Sequence, residues 1–177
     1  VHDPEGVAAA IKHEALIWKW DNVADRCNEW VAESITGYAE EAQKLAASMQ
    51  RCSDTAAAVQ RSVLALRLAP PLAIHRRILY GSENHVWDLV ARELGPEWGD
   101  AQAAALGAGG EDLEASCRAA LGLFALAVDE VRLILDERQL GGGGIGKRRV
   151  MAERLQVEVL ILQRVVNLMH QHRLFHE

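Results

Sequence analysis

The feature that most constrains this chain is an unbroken series of apolar positions spaced alternately by four and three residues. These positions are Tyr38, Ala42, Leu45, Met49, Cys52, Ala56, Val59, Val63 and Leu66. Such spacing keeps apolar side chains on one side of an α-helix, as in the seam of a left-handed bundle or coiled coil. Because it continues across Ser53 and Asp54, the pattern predicts one helix of about 45 Å, since each residue adds about 1.5 Å. We expect this second helix to be the spine of the fold.

Four further segments show helical spacing and complete the predicted architecture. They are the stripe from Leu16 to Trp30 and the segments 72–94, 111–140 and 147–174. Thr36 and Gly37 mark the predicted start of the long helix, and Pro70 and Pro71 end it, because a residue before proline is pushed out of the α region. No segment keeps the period of two that is typical of a strand. The predicted fold class is therefore all-α, a bundle of about five long helices with heptad-like packing.

Two glycine-rich stretches are interpreted as connections between helices. Residues 95–110 are predicted to be a loop, and 141–146 a flexible linker before the last helix. A chain of 177 residues is long enough to bury one core, so we interpret 1–177 as a single helical domain. Because Val1 is not a methionine, we expect this domain to be part of a larger protein.

The charge of the chain restricts the classes of partner that it is expected to bind. The formal net charge is −6, whereas binding to nucleic acid or to an anionic membrane surface generally requires a basic patch. No apolar run reaches the roughly 18 residues needed to span a bilayer. We therefore expect neither a nucleic-acid partner nor a membrane span.

The cysteines bear on the cellular compartment. Cys27, Cys52 and Cys117 are far apart in sequence, and each falls on a predicted apolar stripe. An odd number of core thiols without a CxxC pair is typical of a reducing environment, where cysteine acts as a small hydrophobe. We expect three buried thiols and an intracellular protein, in the cytoplasm or the nucleus.

Motifs for catalysis or cofactor binding are incomplete. The run before Lys147 fits GxxxxGK, but Arg148 stands where a P-loop needs a magnesium-binding serine or threonine. His172 and His176 share a helix face, yet they lie in a terminal turn where a rigid zinc shell is not expected. No Glu-x-x-His pair of a diiron bundle occurs, and no G-x-S-x-G elbow. The sequence therefore predicts no catalytic residue, no cofactor and no metal.

One polar group lies within an apolar arc of the last predicted helix. Glu158 is at the centre of this arc, and Arg154 lies one turn earlier. Since a lone buried carboxylate costs several kcal/mol, the two residues are expected to form a structural pair or to line an internal polar site. His75 falls on the apolar stripe of the third predicted helix and is a candidate partner in that site.

Surplus apolar residues predict a partner interface. The candidates are Ile11, Ala15 and Trp18 on the first helix and Leu126 and Leu133 on the fourth. These residues lie nearly opposite the main stripe of their own helix, and a helix with two apolar faces is either central or partly covered by another chain. On the same wheel Trp18 lies nearly opposite Trp20, and tryptophan is enriched at binding hot spots.

Three functions follow as hypotheses. The first is a non-enzymatic interaction or regulatory domain that binds a partner chain or associates with a second copy. The second is a helical regulator that binds a small ligand in an internal pocket near Glu158. The third is an enzyme whose site has no recognisable motif. The absent motifs and the surplus apolar faces favour the first.

Overall fold

A computed structural model describes residues 6–135, and every regular element in this range is helical. The all-α class is confirmed for this part of the chain. The α-helices are α1 (Val7–Ile17), α2 (Ala24–Gln50), α3 (Asp54–Arg67), α4 (Ala69–His75), α5 (Val86–Leu94), α6 (Pro96–Leu106) and α7 (Leu113–Glu130). Short 3-10 turns at Trp20–Val23 and Glu83–His85 precede α2 and α5. Residues 132–135 are helical again after α7.

Helix α2 begins earlier than the sequence predicts. It continues through Thr36 and Gly37, which the sequence analysis placed at a helix start. A glycine inside a helix costs roughly 1 kcal/mol relative to alanine, but the buried residues Ile35 and Ala39 lie on either side of it. Burial of these side chains outweighs the local preference, so the expected boundary at Thr36 is wrong.

The long helix predicted across Cys52 is also wrong, because the chain turns there. The Cys52 amide donates to the Met49 carbonyl at 3.1 Å, and the Ser53 amide donates to the Ser48 carbonyl at 3.0 Å. This pair of bonds is a Schellman motif, which ends a helix at a residue with left-handed backbone geometry. Cys52 occupies that position with a φ of 52°.

The turn changes which face of α3 is buried. Helix α3 directs Ala57, Leu64 and Ala65 into the core. The predicted stripe therefore leaves the core after Cys52, and its members Val59 and Leu66 are 54% and 45% exposed.

The prediction made from the proline pair is confirmed in part, and the prediction made from the glycine-rich stretch 95–110 is mostly wrong. Helix α3 ends at Arg67, as predicted from the prolines, but Pro70 and Pro71 then lie in the first turn of α4. Proline is tolerated there because amides of the first helical turn have no partner within the helix. The loop predicted over 95–110 is wrong for most of its length, since it contains α6 from Pro96 to Leu106.

One hydrophobic core joins residues of α2 to α7 and is built largely from alanine and leucine. Helix α7 packs against α2, α3 and α6, and α2 also packs against α3 and α4. Asp54 at the start of α3 and Asp112 at the start of α7 line one groove. At the other end, His75 of α4, which follows α3, contacts Glu130 at the end of α7. Helices α3 and α7 therefore run in the same direction.

Candidate interaction surfaces

Helix α1 is the most exposed element of the described chain. None of its residues is buried, and no pair of extensively packed helices within residues 6–135 includes it. Ile11 is 65% exposed, Trp18 is 41% exposed, and Ala15 is also exposed. The three candidate interface residues of the first predicted helix are therefore all exposed.

Trp18 and Trp20 contact each other, contrary to their expected placement on opposite faces. Helix α1 ends at Ile17, so the two residues do not share a helix. Their rings meet edge to face with centroids 4.8 Å apart, a favourable geometry for aromatic pairs. Next to them, Arg77 Nη1 donates to Asp21 Oδ1 at 3.0 Å, in an ion pair between exposed side chains. These contacts link the segment that follows α1 to Arg77, just beyond the end of α4.

The two candidate residues near α7 are not equivalent. Leu126 is half-buried and packs against the core, whereas Leu133 is 73% exposed. Leu133 follows the end of α7 at Glu130, so the two leucines belong to different helical segments. The structure does not bring either of them together with α1 in a packed interface.

His75 belongs to a polar cluster where the end of α4 meets the end of α7. Its Nε2 lies 3.3 Å from Glu130 Oε1, and Arg76 Nε lies 2.5 Å from the same oxygen. Burial lowers the pKa of His75 below its ordinary value of 6.5, and the nearby Arg76 charge acts in the same direction. Glu130 opposes both effects but does not outweigh burial. We infer a neutral imidazole at neutral pH that donates from Nε2 to the Glu130 carboxylate.

The other members of the predicted polar site lie outside the described residues. These members are Arg154 and Glu158. The glycine run 141–146, Lys147 and the terminal histidines also lie outside the described residues. His75 already has Glu130 as a partner, so its polar group is satisfied without them.

A groove of about 390 Å³ lies where α2 ends and α7 begins. Its floor is mainly apolar and includes Met49, Leu113 and Cys117. Two of the polar groups that line it have structural partners: Asp112 accepts from the Ala115 amide, and Ser48 donates to the Lys44 carbonyl. Glu114, a third rim residue, pairs with Arg118. Asp54 and the exposed Cys52 also line the groove.

A second open surface is the side of α3 that faces away from the core. We call it the outer face of α3 and define it by Ala58, Val59, Ser62, Val63, Leu66 and Arg67. The Trp87 indole nitrogen donates to the Leu66 carbonyl at 3.2 Å, which holds the end of this helix in place. Val59, Val63 and Leu66 were predicted to line the bundle seam, and after the turn at Cys52 Val59 and Leu66 are exposed instead.

The three thiols differ in exposure, so the expectation that all are buried is wrong. Cys117 is buried in the core, Cys27 is half-buried and Cys52 is exposed. Burial raises the pKa of the Cys117 thiol, although the charge of Arg61 opposes this effect.

Sequence reasoning missed Arg61, a charged residue on the inner side of α3. It is half-buried, its Nη2 donates to Ser62 Oγ at 3.3 Å, and its buried Nε has no hydrogen-bond partner among the described residues. The spacing in the sequence could have indicated its place on the inner side, because Arg61 lies four residues after Ala57 and three before Leu64, both of which are buried.

Within residues 6–135, no group of three or more His, Cys, Asp or Glu residues is placed so that it could hold a metal ion. None of the helices described in that range has the length and apolar character that a membrane crossing requires. The sequence matches no model of a known protein family, and neither a curated protein nor a solved structure matches the chain.

Proposed function

We propose that this chain is a non-enzymatic helical interaction domain, and that α1 is the element that docks onto a partner chain or a second copy. The observation that carries the proposal is that every residue of α1 is exposed, although the helix is rich in apolar residues. Val7, Leu16 and Ile17 are exposed in addition to the candidate interface residues. A helix with this much apolar surface gains free energy when another chain covers it.

The shape of α1 favours recognition of a helix in a groove. Val7, Ile11 and Ala15 recur at spacings of four, so they follow one side of α1, and Trp18 comes directly after the helix ends at Ile17. Trp18 supplies a large aromatic anchor at the end of this row, and its contact with Trp20 limits the rotamers that binding would have to freeze. We propose an apolar groove on the partner as the receiving surface.

The described polar groups support a binding role more than a catalytic one. In the groove beside α7, Ser48 and Asp112 are engaged in hydrogen bonds with the backbone, and His75 is held by Glu130. A general base or nucleophile needs a free reactive atom facing a substrate pocket. We therefore place the function on the apolar surfaces.

The proposal is tested by sedimentation velocity of the full chain over a range of concentrations. Ile11→Glu puts a charge in the middle of the apolar row and should abolish self-association, while the melting temperature stays unchanged at dilutions where the parent is monomeric. Trp18→Ala should weaken association by about 2 kcal/mol or more, roughly 30-fold in Kd. His13→Glu, which introduces a carboxylate at a polar position of the same helix, is the matched control and should associate as the parent does.

If the parent chain is monomeric at every concentration, the self-association form of the proposal is contradicted. The partner form then predicts that a photoreactive residue at position 11 forms crosslinks in cells and that one at position 13 does not. A fall in melting temperature with Ile11→Glu that equals the effect of Val31→Glu in the core would contradict both forms, because it would show that α1 packs on its own chain.

A further inference from the structure

The outer face of α3 is an apolar surface that no described helix covers. Val59 and Leu66 are exposed there, while the opposite side of the same helix supplies Ala57 and Leu64 to the core. A helix with two apolar sides is generally covered on both. Arg67 closes one end of this face and makes no ion pair with another described residue.

The described chain ends near the same end of α3. Helices α3 and α7 run in the same direction, so Leu66 and Glu130 both lie at the end where α4 contacts α7. The chain then continues through 132–135 toward the C-terminal region. The eleven residues 136–146 span at most about 40 Å when extended, which is enough to reach the outer face of α3.

The segment 147–174 has the apolar pattern that such a surface requires. Its sequence predicts a helix on which Leu155, Leu162, Val166 and Met169 form one arc, with Glu158 at the centre. The outer face of α3 extends over about 17 Å from Thr55 to Leu66, at about 1.5 Å per residue. A helical stretch of twelve residues within the segment matches this length.

We propose that 147–174 docks on the outer face of α3 as an antiparallel helix, with Glu158 opposite Arg67. In this register Leu162 lies opposite Val63 and Val166 lies opposite Val59, so two apolar residues of the arc meet apolar residues of the outer face of α3. The pairing also gives the carboxylate at the centre of the arc an arginine partner, which an ionised group in an apolar contact needs. The occupant of the surface is thus the C-terminal segment of the same chain.

Thiol labelling of the full chain tests the docking, with Val59→Cys as the reporter. Exposed Cys52 serves as an internal reference, and the labelled peptides are separated by mass spectrometry. If 147–174 covers the outer face of α3, the reporter should react at least tenfold more slowly than Cys52 at every protein concentration. Adding Leu162→Asp should remove this protection. Asn167→Asp adds the same charge on the opposite side of the predicted helix and should leave the protection intact.

A charge exchange tests the register. Arg67→Glu and Glu158→Arg should each speed labelling of the reporter, and the two substitutions together should restore slow labelling. If the double variant labels as fast as either single variant, the proposed register is wrong. A reporter that reacts as fast as Cys52 in the parent chain overturns the docking, and so does protection that disappears on dilution, because a second copy would then be the occupant.

Discussion

The Trp98 indole nitrogen donates a hydrogen bond to the Gln102 side-chain oxygen at 2.7 Å, and both side chains are buried. The two residues lie one turn apart on α6, the helix that occupies a stretch predicted to be a loop. The bond satisfies a buried amide oxygen that would otherwise have lost its water.

Trp98→Phe should therefore destabilise the fold beyond the loss of ring area, because Gln102 is left with an unsatisfied oxygen. We expect a loss of about 1–3 kcal/mol in the free energy of unfolding, measured by urea denaturation. Gln102→Leu removes the acceptor, and the double variant should be less destabilised than the sum of the single variants. Strict additivity would show that the hydrogen bond contributes nothing.

The stability of the fold should depend on the protonation of His75. Its pKa is lowered in the folded state, so the unfolded chain binds the proton more readily and the free energy of unfolding rises with pH through this window. Stability contributed by neutral His75 is thus present above about 6.5 and is lost as pH falls through the lower folded pKa. Denaturation of the parent and His75→Gln between pH 8 and pH 5 should show a smaller acid loss in the variant. His85→Gln, which removes an exposed histidine, is the control and should follow the parent. Identical profiles for all three proteins would contradict the assignment.

The three cysteines should label in the order of their exposure. Cys52 should react first with a maleimide, Cys27 more slowly, and Cys117 only when the core opens. The raised pKa of Cys117 slows it further, because the thiolate is the reactive form. Peptide mapping after timed labelling measures all three rates in one sample. Native-state labelling of Cys117 at the rate of Cys52 would show that the contact between α3 and α7 is open.

Replacing Cys52 by glycine should stabilise the turn between α2 and α3. A side chain at a φ of 52° is strained, and glycine adopts this geometry without a steric cost. We expect Cys52→Gly to exceed Cys52→Ala by about 0.5–1 kcal/mol in the free energy of unfolding, since both remove the thiol and only glycine removes the strain. Equal stabilities would mean that the backbone at this position relaxes to a different conformation.

The spacing of apolar residues was sufficient to predict the all-α class but not the ends of the helices. Two Schellman turns carry Cys52 and Arg77 where glycine is the common residue, so the usual stop signal is missing from the sequence. Gly37 shows the converse, since it lies inside α2 without ending it. Long-range packing decides where these helices end, and a local sequence pattern carries no information about that packing.

The candidate surfaces were predictable to a different degree. The second apolar side of the first predicted helix left two placements open, between two neighbouring helices or under a partner chain, and the structure leaves Ile11 and Trp18 exposed. The exposed side of α3 could not be foreseen, because its location depends on the turn at Cys52. The pairing of His75 with Glu130 also escaped prediction, since the two residues are far apart in sequence and meet only when α4 packs near the end of α7.

The abundance of alanine in the core has a consequence for the mutational tolerance of this chain. Residues such as Ala42, Ala65, Ala120 and Ala127 are almost fully buried, and their small side chains allow neighbouring backbones to approach closely. Shortening a side chain at such a site removes almost nothing, whereas adding even a few methyl groups forces two helices apart. Substitutions that enlarge residues should therefore be purged from these positions during evolution, while the exposed apolar surfaces stay free to vary with their occupants.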